Sequence, residues 1–119
     1  MIVKLRSVEE ARETIQKFAR AEMGRETALR LAPLIRSLLE ELAGIDRFRW
    51  ALFRKFGVQE GSRLTVKAEH FEEFQKEWDE YMENQVELPD LNFSLEEFEG
   101  LRFSPADLIH LENLGVLRL

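Results

Sequence analysis

The sequence predicts a mostly α fold: a long helix–turn–helix hairpin with flanking shorter helices and room for a small two-strand element. Three observations carry this. Ala28, Leu31, Ile35, Leu38, Leu42 and Ile45 follow one another at alternating steps of three and four, the seam of a long amphipathic helix. Phe71, Phe74, Trp78 and Tyr81 repeat that rhythm on a second segment. The two segments also differ in charge. Residues 1–66 hold thirteen Lys/Arg against nine Asp/Glu, and residues 67–119 hold four against fourteen, so +4 meets −10 within a total of −6. Oppositely charged helices joined by a short connection suit an antiparallel hairpin.

The elements follow in order. Residues 1–6 alternate apolar and charged side chains, as a short strand or lead-in does. Ser7 and Glu10 have the spacing of a capping box, in which the hydroxyl takes an orphan amide and the carboxylate reaches back. Val8, Ala11, Ile15, Phe18 and Ala19 then give one apolar stripe, and Gly24 supplies a stop, so helix one is expected over 8–22. Helix two is expected from 25 to 56. Leu34, Leu39 and Phe53 widen its stripe enough to meet two neighbours. Pro33 removes one hydrogen bond from its interior and clashes with the carbonyl four residues back, which predicts a kink.

Gly57 and Gly61 bracket a turn, and residues 63–67 alternate as a strand does. Helix three is expected over 68–84, and residues 62–66 are expected to pair with 86–88. Trp50 and Phe53 are expected to pack on Phe71, Phe74 and Trp78. Ser94 with Glu97 predicts a one-turn helix ending at Gly100. Ser104-Pro105-Ala106-Asp107 combines an N-cap serine, proline at the first helical position and a first-turn acid, so a last helix is expected over 105–113. The chain reads as one helical domain over 1–119, divided into an N-terminal helix (1–24), the hairpin (25–84) and a C-terminal extended and helical segment (85–119).

Composition narrows the function classes. The chain has no cysteine, which excludes disulfides, thiolate metal sites and thiol catalysis. Its net charge of −6 argues against binding nucleic acid through the phosphate backbone. Met1 to Arg6 has too short an apolar run for a secretory leader, so a cytoplasmic address is expected.

Chemistry finds little support. His70 stands at helical spacing from Glu73 and Glu77, but a solvated helix face accounts for all three. His110 fits a packed or rim position. The glutamates of helix three lack the cleft and desolvation that paired acid–base catalysis needs. No enzyme activity, cofactor, metal or small-molecule substrate is expected. Arg47, Arg49, Arg54 and Lys55 interleave with Phe48, Trp50 and Phe53 as basic and aromatic residues do on single-strand binders. Packing within the hairpin is the favoured account, and direct nucleic-acid binding is not expected.

The candidate partner-binding residues are Glu69, Glu72, Glu73, Glu77, Glu80 and Glu83, because helix three holds more acid than helix two can answer. A second account of the same face is mimicry of a phosphate backbone, which makes the protein an inhibitor of a host or defence nucleic-acid enzyme.

The run Arg54-Lys55-Phe56-Gly57, the acidic helix, Val86-Glu87-Leu88-Pro89 and Ser104-Pro105-Ala106-Asp107-Leu108-Ile109-His110-Leu111-Glu112 together resemble small helical proteins of unassigned function. Tailed phages and prophages of Gram-positive and thermophilic bacteria encode them. The resemblance covers about residues 25–114 and brings no functional residues with it. With no enzyme motif in the chain, the expected function is a non-enzymatic protein-interaction module, phage-encoded by this resemblance and used in virion assembly or as an accessory factor. Such a module acts in the host cytoplasm or the virion, through a protein partner or self-association.

Overall fold

A computed structural model describes residues 1–118. Strand β1 (Ile2–Lys4) leads directly into helices α1 (Leu5–Glu10) and α2 (Arg12–Arg20), and helix α3 runs from Arg25 to Phe56. A hairpin of β2 (Gly57–Glu60) and β3 (Arg63–Val66) follows, then a 3-10 turn at Ala68–His70 and helix α4 (Phe71–Met82). The chain closes with β4 (Gln85–Glu87), β5 (Phe93–Ser94), a 3-10 turn at Leu95–Phe98, helix α5 (Pro105–Asn113) and β6 (Leu117–Arg118). The fold is mostly α. Thirty-two residues at about 1.5 Å each make α3 roughly 48 Å long, so it spans the 50 Å long axis of the molecule.

The first helix departs from expectation at both ends. It starts at Leu5 rather than after Ser7, with Lys4 at the cap position and no side-chain cap. The amide of Leu5 donates instead to the carbonyl of Asn84 at 2.9 Å. A tertiary acceptor takes the orphan donor, and the Ser7 box has no role. The helix then breaks at Ala11, where φ −89° and ψ 7° tighten the turn. The Ala11 amide is shared between the carbonyls of Ser7 and Val8, each at 3.2 Å.

Helix α3 passes through Pro33 as one element. Proline removes the donor that belongs to the carbonyl of Leu29. Leu29 and Pro33 are both exposed, so water can take that acceptor. The buried stripe of α3 is Leu31, Leu34, Leu38, Leu42, Ile45, Leu52 and Phe56. Its first half packs on α1, α2 and the C-terminal segment, in one cluster with Val8, Ile15, Phe18, Phe93, Phe98, Leu111 and Leu114. Its second half packs on α4 through aromatic pairs. Phe48 stacks on Tyr81 at 3.8 Å and on Trp78 at 6.3 Å, and Phe53 meets Phe74 at 5.2 Å between ring centroids. Trp50 and Phe71, expected in this seam, lie outside it, 60% and 56% exposed.

Strand pairing also differs from expectation. β3 pairs antiparallel with β2, Gly57 opposite Val66 and Glu60 opposite Arg63, across a turn in which Gly61 takes φ +65°. β4 pairs antiparallel with β1, Val3 opposite Val86. The expected pairing of 62–66 with 86–88 is thus replaced by two others. Helix α4 accounts for this: its twelve residues carry the chain roughly 18 Å away from the hairpin before residue 85. A parallel pair of β5 and β6, Phe93 opposite Leu117, ties down the C-terminal segment. The capping boxes at Ser94/Glu97 and Ser104/Asp107 form with both halves present.

Candidate functional site

The six glutamates proposed from the sequence divide between internal ion pairs and solvent. Glu77 turns toward α3 and accepts from Lys55 Nζ at 2.8 and 3.1 Å. Glu83 faces the N-terminal strand and helix, accepting from Lys4 Nζ at 2.7 Å and Arg6 Nε at 3.2 Å. These two partners, Lys4 ahead of Arg6, hold its carboxyl below the usual carboxylate range. Glu69 lies 3.7 Å from His70. Glu72, Glu73 and Glu80 remain exposed without an ion pair among the described residues, and Lys76 falls between them in the helix.

The charge asymmetry is therefore not answered across the hairpin. Lys55–Glu77 is the one ion pair between α3 and α4 among the described residues. Arg49 meets α4 through an aromatic ring and not a carboxylate, its guanidinium 5.0 Å from the Trp78 ring centre. It also closes a square of alternating charge. Glu9 accepts from Arg12 at 2.7 Å and Arg49 at 2.8 Å, and Asp46 accepts from the same two arginines at 2.7 and 2.9 Å. This square clamps α1 and α2 to the middle of α3.

A second polar cluster joins α2 to α5. Asp107 is buried and accepts from Lys17 Nζ at 2.6 Å, Thr14 Oγ1 at 2.7 Å and the Ser104 amide at 3.0 Å. Burial opposes its ionisation, yet these donors, Lys17 foremost, outweigh it and hold the carboxyl far below the usual carboxylate range. Thr14 spends its only proton on Asp107, so at 3.3 Å it accepts from Nδ1 of His110. Every member is engaged in holding helices together. Among the described residues no group of three or more His, Asp or Glu is placed to hold a metal ion, and no helix is long and apolar enough to cross a membrane.

The surface that stands out is the outer face of α3. Ala32, Leu39, Ala43 and Trp50 follow at steps of seven, four and seven, so they fall within about 40° of one another around the helix, and all four are exposed. Leu39 is 40% and Leu29, beside the seam, 64% exposed. Arg36, Arg47 and Arg54 flank the seam without an ion pair or side-chain hydrogen bond among the described residues. Two hollows lie along it. One, of about 380 Å³, opens between α2 and α3 and is lined by Phe18, Met23, Ala28, Ala32, Ile35 and Leu39 among others. The other, of about 490 Å³, is formed by Arg47, Trp50, Arg54 and Leu64, the last from the β2–β3 hairpin.

The signal for this seam was present in the 7-4-7 spacing. It was hidden because Leu39 reads as a widening of the core stripe and Trp50 as a hairpin core residue. No protein-family model, curated protein or solved structure matches the chain.

Proposed function

We propose that this protein is a non-enzymatic protein-interaction module that offers the outer face of α3 to a protein partner. The observation that carries the reading is the exposed seam of Ala32, Leu39, Ala43 and Trp50 with unpaired arginines at its edge. The core-facing side chains of α3 lie on another side of the helix, while Leu39 and Trp50 leave 40% and 60% of their surface exposed. An exposed Trp between arginines is the composition that dominates binding energy in protein interfaces. The titratable clusters at Asp107 and Glu9–Arg12–Asp46–Arg49 are saturated with internal partners, which favours binding over chemistry. A phage-encoded role in virion assembly or as an accessory factor follows the sequence resemblance and is part of the same proposal.

A photo-crosslinking residue in place of Ala43, with the protein expressed in cells that naturally contain it, tests the reading. Adducts to a protein are expected from position 43 and not from Glu99 on the far segment. Equal adducts from both positions, or none from position 43, would refute it.

A further inference from the structure

The outer face of α3 carries a row of arginines beside its apolar seam. Arg25, Arg36 and Arg47 recur every eleven residues, and Arg54 follows seven further on. Eleven residues overshoot three turns by about 20°, and seven fall about 20° short of two. The four side chains therefore leave the helix within about 40° of one another. All four are exposed, and none makes an ion pair or side-chain hydrogen bond among the described residues. Two carboxylates of α3 border the row. Asp46 is committed to Arg12 and Arg49, and Glu40 is exposed and forms no ion pair with the row among the described residues.

The two hollows along this face share one chemistry. That of about 380 Å³ has Arg36 beside Ala32, Ile35 and Leu39, and that of about 490 Å³ has Arg47 and Arg54 beside Trp50 and Leu64. No carboxylate lines either. The polar cleft between α1, α2 and α5 is the opposite case, lined by Glu9, Glu10, Glu13 and Asp107. Apolar hollows edged by uncompensated arginine, on a chain of net charge −6, fit an anion that also carries apolar groups. The guanidinium fork matches a carboxylate or a phosphate. Single-strand binders stack successive bases on several rings, and this face of α3 offers one exposed ring, Trp50. A nucleic-acid backbone would answer the charge and leave the hollows empty. An acidic protein segment with large apolar side chains answers both.

We propose that the outer face of α3 docks an acidic amphipathic segment of a second protein, with its apolar side chains in the two hollows and its carboxylates on Arg36, Arg47 and Arg54. The inference rests on the interaction-module reading and adds the chemistry of the partner. Arg36 and Arg54 stand about 27 Å apart along the helix axis, by eighteen residues of rise. A helical partner segment therefore runs for about five turns.

The photo-adducts from position 43 test the inference when the partner peptide in each is sequenced by mass spectrometry. Adducts are expected on segments in which Asp and Glu outnumber Lys and Arg and are interspersed with large apolar residues. Arg47→Glu with Arg54→Glu should lower the adduct yield at least about fivefold. Arg47→Lys with Arg54→Lys keeps the charge and should retain most of the yield. Lys76→Glu with Arg102→Glu makes the same change in net charge away from this face and should leave the yield unchanged. Circular dichroism checks that each variant is folded. Adducts on neutral or basic segments, or a yield indifferent to charge reversal at 47 and 54, would overturn the acidic partner and leave the interaction-module reading standing. No adducts from position 43 would remove both. Fluorescein-labelled oligo-dT is not expected to bind the purified chain. Micromolar binding of that probe, abolished by the same charge reversal, would give the face to single-stranded nucleic acid and overturn the proposal.

Discussion

Thr14 Oγ1 donates to Asp107 Oδ1 across 2.7 Å, joining residues 93 positions apart in the sequence. The carboxylate that caps α5 locally thereby also fixes the helix against α2. Asp107→Asn keeps the size of the side chain and removes the charge that Lys17, Thr14 and the Ser104 amide all address. The variant is expected to lose about 1–3 kcal/mol of stability near neutral pH, measured by urea denaturation.

The same residue sets a pH dependence. Its folded pKa lies below the unfolded value of about 4. Its contribution is therefore complete above that value and is lost as pH falls from there through the lower folded one. The stability difference between wild type and Asp107→Asn is expected to be constant from pH 7 to about 5 and to shrink below about 4. A difference that grows on acidification contradicts this assignment.

The square of Glu9, Arg12, Asp46 and Arg49 behaves as a network rather than as isolated surface pairs. Its side chains are between 24% and 44% exposed, so solvent screens them in part. Arg49→Met is expected to cost about 1–2 kcal/mol, more than the 0–1 kcal/mol of a single exposed pair such as Lys55–Glu77. High salt should narrow the gap, which a denaturation series in sodium chloride measures.

The packing of the hairpin predicts unequal roles for neighbouring aromatics. Phe48 stacks on both Trp78 and Tyr81, whereas Trp50 is 60% exposed, with the Phe53 ring of its own helix 6.5 Å away. Phe48→Ala is expected to cost about 2–4 kcal/mol. Trp50→Ala should cost under about 1 kcal/mol. Similar losses for the two would return Trp50 to the core.

Two helix breakers in α3 are expected to yield more stable variants. Pro33 is exposed and its ring occupies a continuous helix, so Pro33→Ala should gain about 1–2 kcal/mol, the propensity difference less the extra freedom of the unfolded chain. A Cβ at Gly44 meets Arg47 Nη2 at 3.6 Å and Tyr81 Oη at 3.9 Å, ordinary contacts. Gly44→Ala should therefore raise stability by about 1 kcal/mol. Thermal melting of both variants checks this, and a loss at Pro33 would mean that packing requires proline there.

By itself the sequence determined the long helix from 25 to 56, the helix opposite it, the caps at Ser94 and Ser104 and the last helix. Those signals sit within three or four positions of one another, where periodicity and a single side-chain hydrogen bond decide. Tertiary structure decided the rest. It started α1 at Leu5 because the Asn84 carbonyl, 79 residues away, took the free amide. It paired β4 with β1 because α4 carries the chain away from the hairpin. It turned Glu77 and Glu83 into internal partners and left Trp50 outside. Alternating spacing gives α3 a dense stripe of large apolar side chains and a sparser one of Ala32, Leu39, Ala43 and Trp50. Burial against α1, α2, α4 and the C-terminal segment chose one, and the other stripe, with Trp50 and Leu39 on it, became the surface.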